Sequence, residues 1–255
     1  TNPANKLSWT FLILLSPIFG LMVYFLFGRS GLTKHTRERM DAVNRQVEAL
    51  FQRDSAEEKG LEKESRSAYL QSSYIDKWAG FPLYQNTQTK YYSCGEEMFP
   101  DMLEALRGAK HFIFLEYFII EEGYMFNTIL DILEEKAKAG VDVRFIYDDV
   151  GSINSISFGY YKKLQERGIP CVTFNPFKPL ISVVMNNRDH RKIFVVDGYI
   201  GFTGGINLAD EYINKVKRFG YWKDTGVRIE GEAVWSLTAM FLEMWNYINR
   251  STEDY

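Results

Sequence analysis

From Trp9 to Phe27 the chain reads Trp-Thr-Phe-Leu-Ile-Leu-Leu-Ser-Pro-Ile-Phe-Gly-Leu-Met-Val-Tyr-Phe-Leu-Phe, without a single charge. Water rejects such a stretch, so it must cross a bilayer or lie in a core. Its length matches the apolar thickness of a membrane. Pro17 and Gly20 are tolerated in spanning helices, where neighbouring groups re-satisfy the freed backbone. A secretory signal would end in small residues, and Phe27-Gly28-Arg29 does not fit one. The segment therefore predicts a transmembrane helix. Arg29, Lys34, Arg37, Arg39 and Arg45 follow it and only Lys6 precedes it. The positive-inside rule then puts everything after Gly28 in the cytoplasm.

This reading divides the chain into an anchor over residues 1–28, a linker over 29–80 and a soluble domain over 81–255. The linker mixes charges at short spacing, as in Arg37-Glu38-Arg39-Met40-Asp41 and Ala56 to Glu64. Mixed signs of this kind make solvated helical faces. Its basic start suits anionic headgroups. Tyr69, Tyr74 and Trp78 suit either the membrane interface or packing against the next domain.

The chain has 255 residues and is 46% hydrophobic, enough for one sizeable core. A net charge of -3 argues against a nucleic-acid partner. Cys94 and Cys171 are too few for a disulfide framework, which points to a reducing compartment. Three histidines, His35, His111 and His190, leave little material for a zinc site, and neither a metal nor another cofactor is expected. Helical spacing covers Glu96 to Ala109, Tyr124 to Ala139, Ile156 to Arg167 and Ala233 to Ile248. Strand patterns cover His111 to Ile120, Val141 to Tyr147, Ile169 to Phe174, Tyr199 to Thr203 and Thr225 to Ile229, with Asn175 to Asn187 a loop. Alternating strands and helices predict an α/β layered domain, a sheet flanked by helices, with its site at strand ends.

One stretch carries chemistry. Asn186-Asn187-Arg188-Asp189-His190-Arg191-Lys192 runs on to Asp197-Gly198 and then to Gly204-Gly205-Ile206-Asn207. From His190 to Val196 the residues alternate with the period of a strand, so His190 and Lys192 share a face. A neutral imidazole can attack phosphorus. An ammonium beside it offsets charge on the phosphoryl oxygens. Gly204 and Gly205 let backbone approach closely, and Asn207 is placed to cap the segment from Leu208 to Ile213. Asp197 has the opposite parity to His190, so it either forms the turn with Gly198 or supports the site from behind. Glu116 interrupts an apolar strand and needs a partner. Two partners are open, the cationic site around His190 and Lys192, or an arginine such as Arg144. Asp148-Asp149 either hold the site or make a turn with Gly151.

The stretch resembles the catalytic motif of the phospholipase D superfamily. Glu116-Tyr117, Tyr147-Asp148-Asp149-Val150-Gly151-Ser152, Asn186-x-Arg188-x-His190-Arg191-Lys192, Gly204 to Tyr212 and Trp222-x-Asp224-Thr225 are similar to bacterial cardiolipin synthases in particular. That resemblance implies a phospholipase D-like fold and phosphatidyl transfer between two phosphatidylglycerol molecules, giving cardiolipin and glycerol. It implies a phosphohistidine intermediate, with His190, Lys192 and Asp197 catalytic. Asn207, Gly204, Gly205, Glu116, Asp148 and Arg188 would bind phosphate or support the site. It places the protein in the bacterial cell membrane with its catalytic domain cytoplasmic.

Members carry two such motifs and usually two membrane segments, and this chain has one of each. His35 is followed by Thr36-Arg37 and His111 by Phe112-Ile113, so neither makes a second His-x-Lys. The sequence opens on Thr1 rather than Met and closes at Tyr255, just after a helix. The expectation is a fragment, inactive alone, whose second motif comes from a missing C-terminal half or from another copy. Two other functions fit the residues: a phospholipase D-type phosphodiesterase that hydrolyses phospholipid, and a non-catalytic scaffold that binds anionic lipid.

Overall fold

The computed structural model describes residues 3–28, 34–51, 53, 55–176 and 188–251. Residues 177–187 fall outside these, and with them most of the expected loop and the Asn186-Asn187 start of the motif. The apolar N-terminus is not one helix. It forms α1 (Pro3–Leu15), α2 (Pro17–Val23) and a π-helical turn (Tyr24–Gly28). The break falls at Ser16 because Pro17 has no N–H to donate and its ring crowds the carbonyl a turn earlier. α2 turns back on α1: a Cβ on Gly20 would sit on the Leu12 backbone, and the Trp9 and Tyr24 rings meet edge-on at 5.5 Å. No helix among the described residues is long and apolar enough to cross a membrane, so the expected continuous span is not met.

The linker is helical as its composition demands, in α3 (Lys34–Glu48), α4 (Ser55–Glu64) and α5 (Arg66–Ala79). It is more than a solvated face. Val47 of α3 and Phe51 are buried against Ala239, Phe81 and Trp235. On α5, by contrast, Tyr74 and Trp78 stay exposed rather than packing on the domain.

The domain is a seven-stranded mixed sheet, ordered β1-β7-β6-β5-β2-β3-β4. The strands are β1 (Thr87–Tyr92), β2 (Phe112–Tyr117), β3 (Asp142–Asp148), β4 (Cys171–Phe174), β5 (Ile193–Val196), β6 (Ile200–Gly204) and β7 (Gly226–Gly231). β2, β3 and β4 run parallel, and β5 turns antiparallel to β2 with Glu116 opposite Ile193. The helices are α6 (Gly95–Gly108), α7 (Tyr124–Lys138), α8 (Tyr160–Glu166) and α9 (Val234–Asn249).

Strand parity sorts the core into two layers. Ile113, Leu115 and Tyr117 of β2, with Phe194 and Val196 of β5, pack among the apolar residues of α6 and α7. Phe114, Ile193 and Val195 point to the other face and meet Val234, Phe241, Leu242 and Trp245 of α9. Glu116 has the parity of Phe114 and so enters the layer under α9. The strand ends now matter. β2, β3 and β4 finish, β5 and β7 begin, and β6 finishes, all at one edge of the sheet.

Candidate active site

That edge carries the motif. β5 begins only at Ile193, so His190, Arg191 and Lys192 lie in the segment leading into it. His190 is exposed, and its ring stacks on Phe118 with centroids 3.7 Å apart and planes 22° apart. Lys192 is buried; its Nζ donates to the His190 carbonyl at 2.6 Å and lies 5.3 Å from the Phe118 centroid. His190 and Lys192 therefore meet around one aromatic ring, as their shared parity predicts. Burial lowers the proton affinity of the Lys192 amine, and the charges of Asp189 and Asp224 partly restore it.

Phe118 was not visible as a site residue in the sequence. The loop after β3 holds it. Ser152 Oγ donates to the Phe118 carbonyl at 3.2 Å and accepts from the Ile120 amide at 3.1 Å. A Cβ on Gly151 would strike the Phe118 carbonyl and ring, so glycine is needed at that approach.

Asp148 is buried at the end of β3 and is fully engaged. Its Oδ1 accepts from the Gly151 amide at 2.8 Å and pairs with Arg188 Nη1 at 3.3 Å, while its Oδ2 accepts from the Asp189 amide at 3.1 Å. Both sequence readings of Asp148 are present in one carboxylate: it makes the turn and ties the motif to the sheet. Arg188 also donates to the Asn175 carbonyl at 3.2 Å.

Glu116 is 1% exposed, and its partner is an arginine, though not Arg144. Arg144 is occupied by Asp142 at 2.9 Å. The counter-ion is Arg191, whose Nη2 lies 2.7 Å from Glu116 Oε1. Arg191 also binds Asp189 through Nε and Nη2 at 3.1 and 3.2 Å. Glu243 of α9 faces the same arginine. Burial raises the Glu116 carboxyl well above its ordinary value, against the pull of Arg191. Apart from this ion pair neither Glu116 oxygen has a hydrogen-bond partner, and the neighbouring Asp189 carboxylate adds to the upward push on its carboxyl. Burial works against the charge of Asp189, yet its interaction with Glu116 and the charge of Arg191 hold its carboxyl below the usual range. This acid-arginine cluster sits directly behind His190. The sequence signal for it was the apolar run broken by Glu116.

The other expected site residues divide between this edge and the opposite end of β5. Asp197 lies at the far end of β5, in a turn with φ of 53°. Its carboxylate accepts from the amides of Lys110, His111 and Phe112 at 2.8, 2.7 and 2.9 Å, so the structure does not bring it to His190. Asn207 is not a helix cap. Its Oδ1 accepts from the Ile119 amide at 3.0 Å and its Nδ2 donates to the Tyr212 hydroxyl at 2.8 Å, joining the 3-10 turn Asp210–Ile213 to the end of β2. The space that Gly204 and Gly205 leave is filled from within the chain. A Cβ on Gly204 would meet the Thr225 carbonyl, and one on Gly205 would meet the Asp224 carboxylate. Asp224 is thus set beside the motif, and it faces Lys192. Among the described residues no group of three His, Cys, Asp or Glu side chains could hold a metal ion.

Chemically, the edge presents one accessible imidazole over a buried ammonium. The first can act as nucleophile or acid, and the second can receive an oxygen that gains charge.

A family described as "Cardiolipin synthase, PLD-like domain" matches residues 102–245, and one described as "Phospholipase_D-nuclease N-terminal" matches residues 1–29. A cardiolipin synthase from Alkalihalophilus pseudofirmus is 38% identical over 96% of this chain and 49% of its own length. Cardiolipin synthase 1 from Bacillus cereus is 37% identical over 100% of this chain and 50% of its own. An uncharacterized Streptococcus mutans protein is 41% identical over 97% of this chain and 54% of its own. The chain spans about half the length of the curated relatives it matches.

Proposed function

This chain belongs to the cardiolipin synthase family of phospholipase D-like proteins, and we propose that it forms one half of a phosphatidyl-transfer site. The substrates are two phosphatidylglycerol molecules and the products are cardiolipin and glycerol. The observation that supports this is the pairing at the open edge: His190 exposed on Phe118, with Lys192 buried and tied to its carbonyl.

The reaction runs as two displacements. An imidazole nitrogen of His190 attacks the phosphorus of the first lipid, forming a P–N bond as the P–O bond to glycerol breaks. Lys192 offsets charge on a non-bridging oxygen. The departing glycerol oxygen needs a proton from the opposite side, and one ring cannot both attack phosphorus and deliver that proton. A second His-Lys half, from a further segment or from another copy, supplies it. That second imidazole then takes the proton from the hydroxyl of the incoming phosphatidylglycerol, which displaces His190. The assignment of nucleophile and acid between the two histidines is interchangeable by symmetry of the scheme.

In this reading Asp148, Arg188, Asn207, Gly204, Gly205 and Glu116 support the two reacting side chains, and Asp197 acts through the α6–β2 junction. The apolar segment from Trp9 to Phe27 attaches residues 81–255 to the cytoplasmic face of a bacterial membrane.

The test is product analysis on labelled phosphatidylglycerol vesicles, with the chain alone and with a second His-Lys half added. Cardiolipin formed only with the second half, and a phosphate-labelled adduct on His190 that survives an alkaline quench and is lost in acid, are expected. Phosphatidic acid as product would make the protein a hydrolase. Turnover unchanged by His190→Ala would overturn the reading altogether.

A further inference from the structure

Between the 3-10 turn and β7 the chain reads Asn214-Lys215-Val216-Lys217-Arg218-Phe219-Gly220-Tyr221-Trp222-Lys223. Four cations stand here with no acid, in a chain whose net charge is -3. Both ends are pinned. Asn214 Oδ1 accepts from the Trp222 amide at 2.7 Å and its Nδ2 donates to the Trp222 carbonyl at 2.8 Å. The Trp222 ring turns inward onto Tyr212, with centroids 4.9 Å apart. The residues between are pushed outward, and Phe219 is 72% exposed, with Val216 and Tyr221 also open. Lys217 and Lys223 are exposed beside them. Arg218 folds back, pairing with Glu121 at 2.6 Å and Glu211 at 3.4 Å.

Phe219 leans on the Trp222 ring, with centroids 5.8 Å apart, yet most of its side chain stays open at the tip of the clasped loop. Large apolar side chains ringed by lysines are the composition of an element that lies in a membrane interface. The apolar groups enter the acyl boundary, and the ammonium groups remain at headgroup level. The loop stands at the edge that bears His190. Asp224, the second residue beyond Trp222, faces Lys192. Phe158, on the loop after β3 at the same edge, is 87% exposed.

We propose that the 215–223 loop is an interfacial clamp that seats the active edge on an anionic bilayer, inserting Phe219 among the lipids. The inference does not need the transfer reading, because the clamp predicts contact with anionic lipid whether or not His190 reacts.

The test uses the full chain reconstituted in vesicles, with an environment-sensitive fluorophore on Phe219→Cys in a Cys94→Ser background. Cys171 is buried and escapes labelling. In phosphatidylglycerol vesicles the emission should shift to the blue and be quenched by brominated lipid, equally in the His190→Ala chain. In phosphatidylcholine vesicles both signals should fall severalfold. Replacing Lys215, Lys217 and Lys223 by Gln should lower the phosphatidylglycerol signal to the phosphatidylcholine level, and high salt should mimic that change. A probe that stays in water on phosphatidylglycerol vesicles would overturn the proposal. So would a blue shift in lipid-free detergent that grows with protein concentration, which would make the loop a contact between protein copies.

Discussion

The cluster behind His190 makes a sharp statement about one proton, and Glu116→Gln tests it. Glu116 is buried in the layer under α9, its carboxyl raised well above the ordinary 4.5 first by burial, with Arg191 pulling the other way. If it is protonated and donates to Asp189, Gln keeps the shape and a donor, and the substitution should cost no more than about 1 kcal/mol. If it is ionised, Gln deletes half of a buried ion pair, and the cost rises to about 3–5 kcal/mol. Arg191→Met provides the scale. It strands Asp189 and Glu243 without their shared cation, so about 3–5 kcal/mol should go, or roughly 6–20 °C in Tm for a domain of this size. The pH dependence adds a second reading. A folded-state value raised above the unfolded one means that the native chain keeps a proton the unfolded chain releases. That stability is complete below the unfolded value of 4.5 and declines as pH rises towards the folded value, by about 1.4 kcal/mol per pH unit for each such group. Glu243 is also raised and slopes the same way. Asp189 is lowered from 3.8, so its contribution is present above that pH and lost only on acidification below it. Thermal unfolding of the reconstituted chain from pH 5 upward should therefore show a decline that Glu116→Gln reduces but does not abolish. A Glu116→Gln chain as unstable as Arg191→Met, with the slope intact, would refute the protonated pair.

Other expectations follow from single contacts. His190→Ala should abolish the trapped lipid adduct while moving stability by less than about 0.5 kcal/mol, because the ring is exposed; circular dichroism melting checks the second half. Asp197→Ala leaves three amides at the start of β2 without their acceptor and should cost about 2–4 kcal/mol in denaturant unfolding. Gly205→Ala forces Asp224 aside and should lose about 1–3 kcal/mol, together with transfer activity, whereas Gly220→Ala meets open space and is strained only by its φ of 90°.

Much of the domain was legible because its strands and helices differ in period. α6, α7 and α9 lie within a residue or two of their expected bounds, since each carries an apolar stripe that only a helix aligns. β1 was not legible. Thr-Gln-Thr-Lys-Tyr-Tyr is polar and mostly exposed, and it is a strand only because β7 offers it a ladder. The break in the N-terminal segment was not legible for a related reason. Hydropathy averages over Ser16-Pro17 and cannot register that one missing N–H ends the helix there.

The site divides along the same line between local and long-range information. That His190 and Lys192 lie on one side was readable from parity, which is a property of the backbone alone. What each supporting residue touches was not readable, because the contacts come from strands far apart in sequence. Asp197, adjacent to the motif, serves the α6–β2 junction, while Asp224, well downstream, fills the space at Gly205. Glu116 had to find a cation, since an isolated buried carboxylate is too costly. The sequence could not tell that the cation would be the residue between His190 and Lys192. Alternation explains it: with His190 and Lys192 facing Phe118, Arg191 is turned to the opposite face, where Glu116 already lies. The His190–Lys192 pairing on one face and charge compensation on the other are therefore a single constraint.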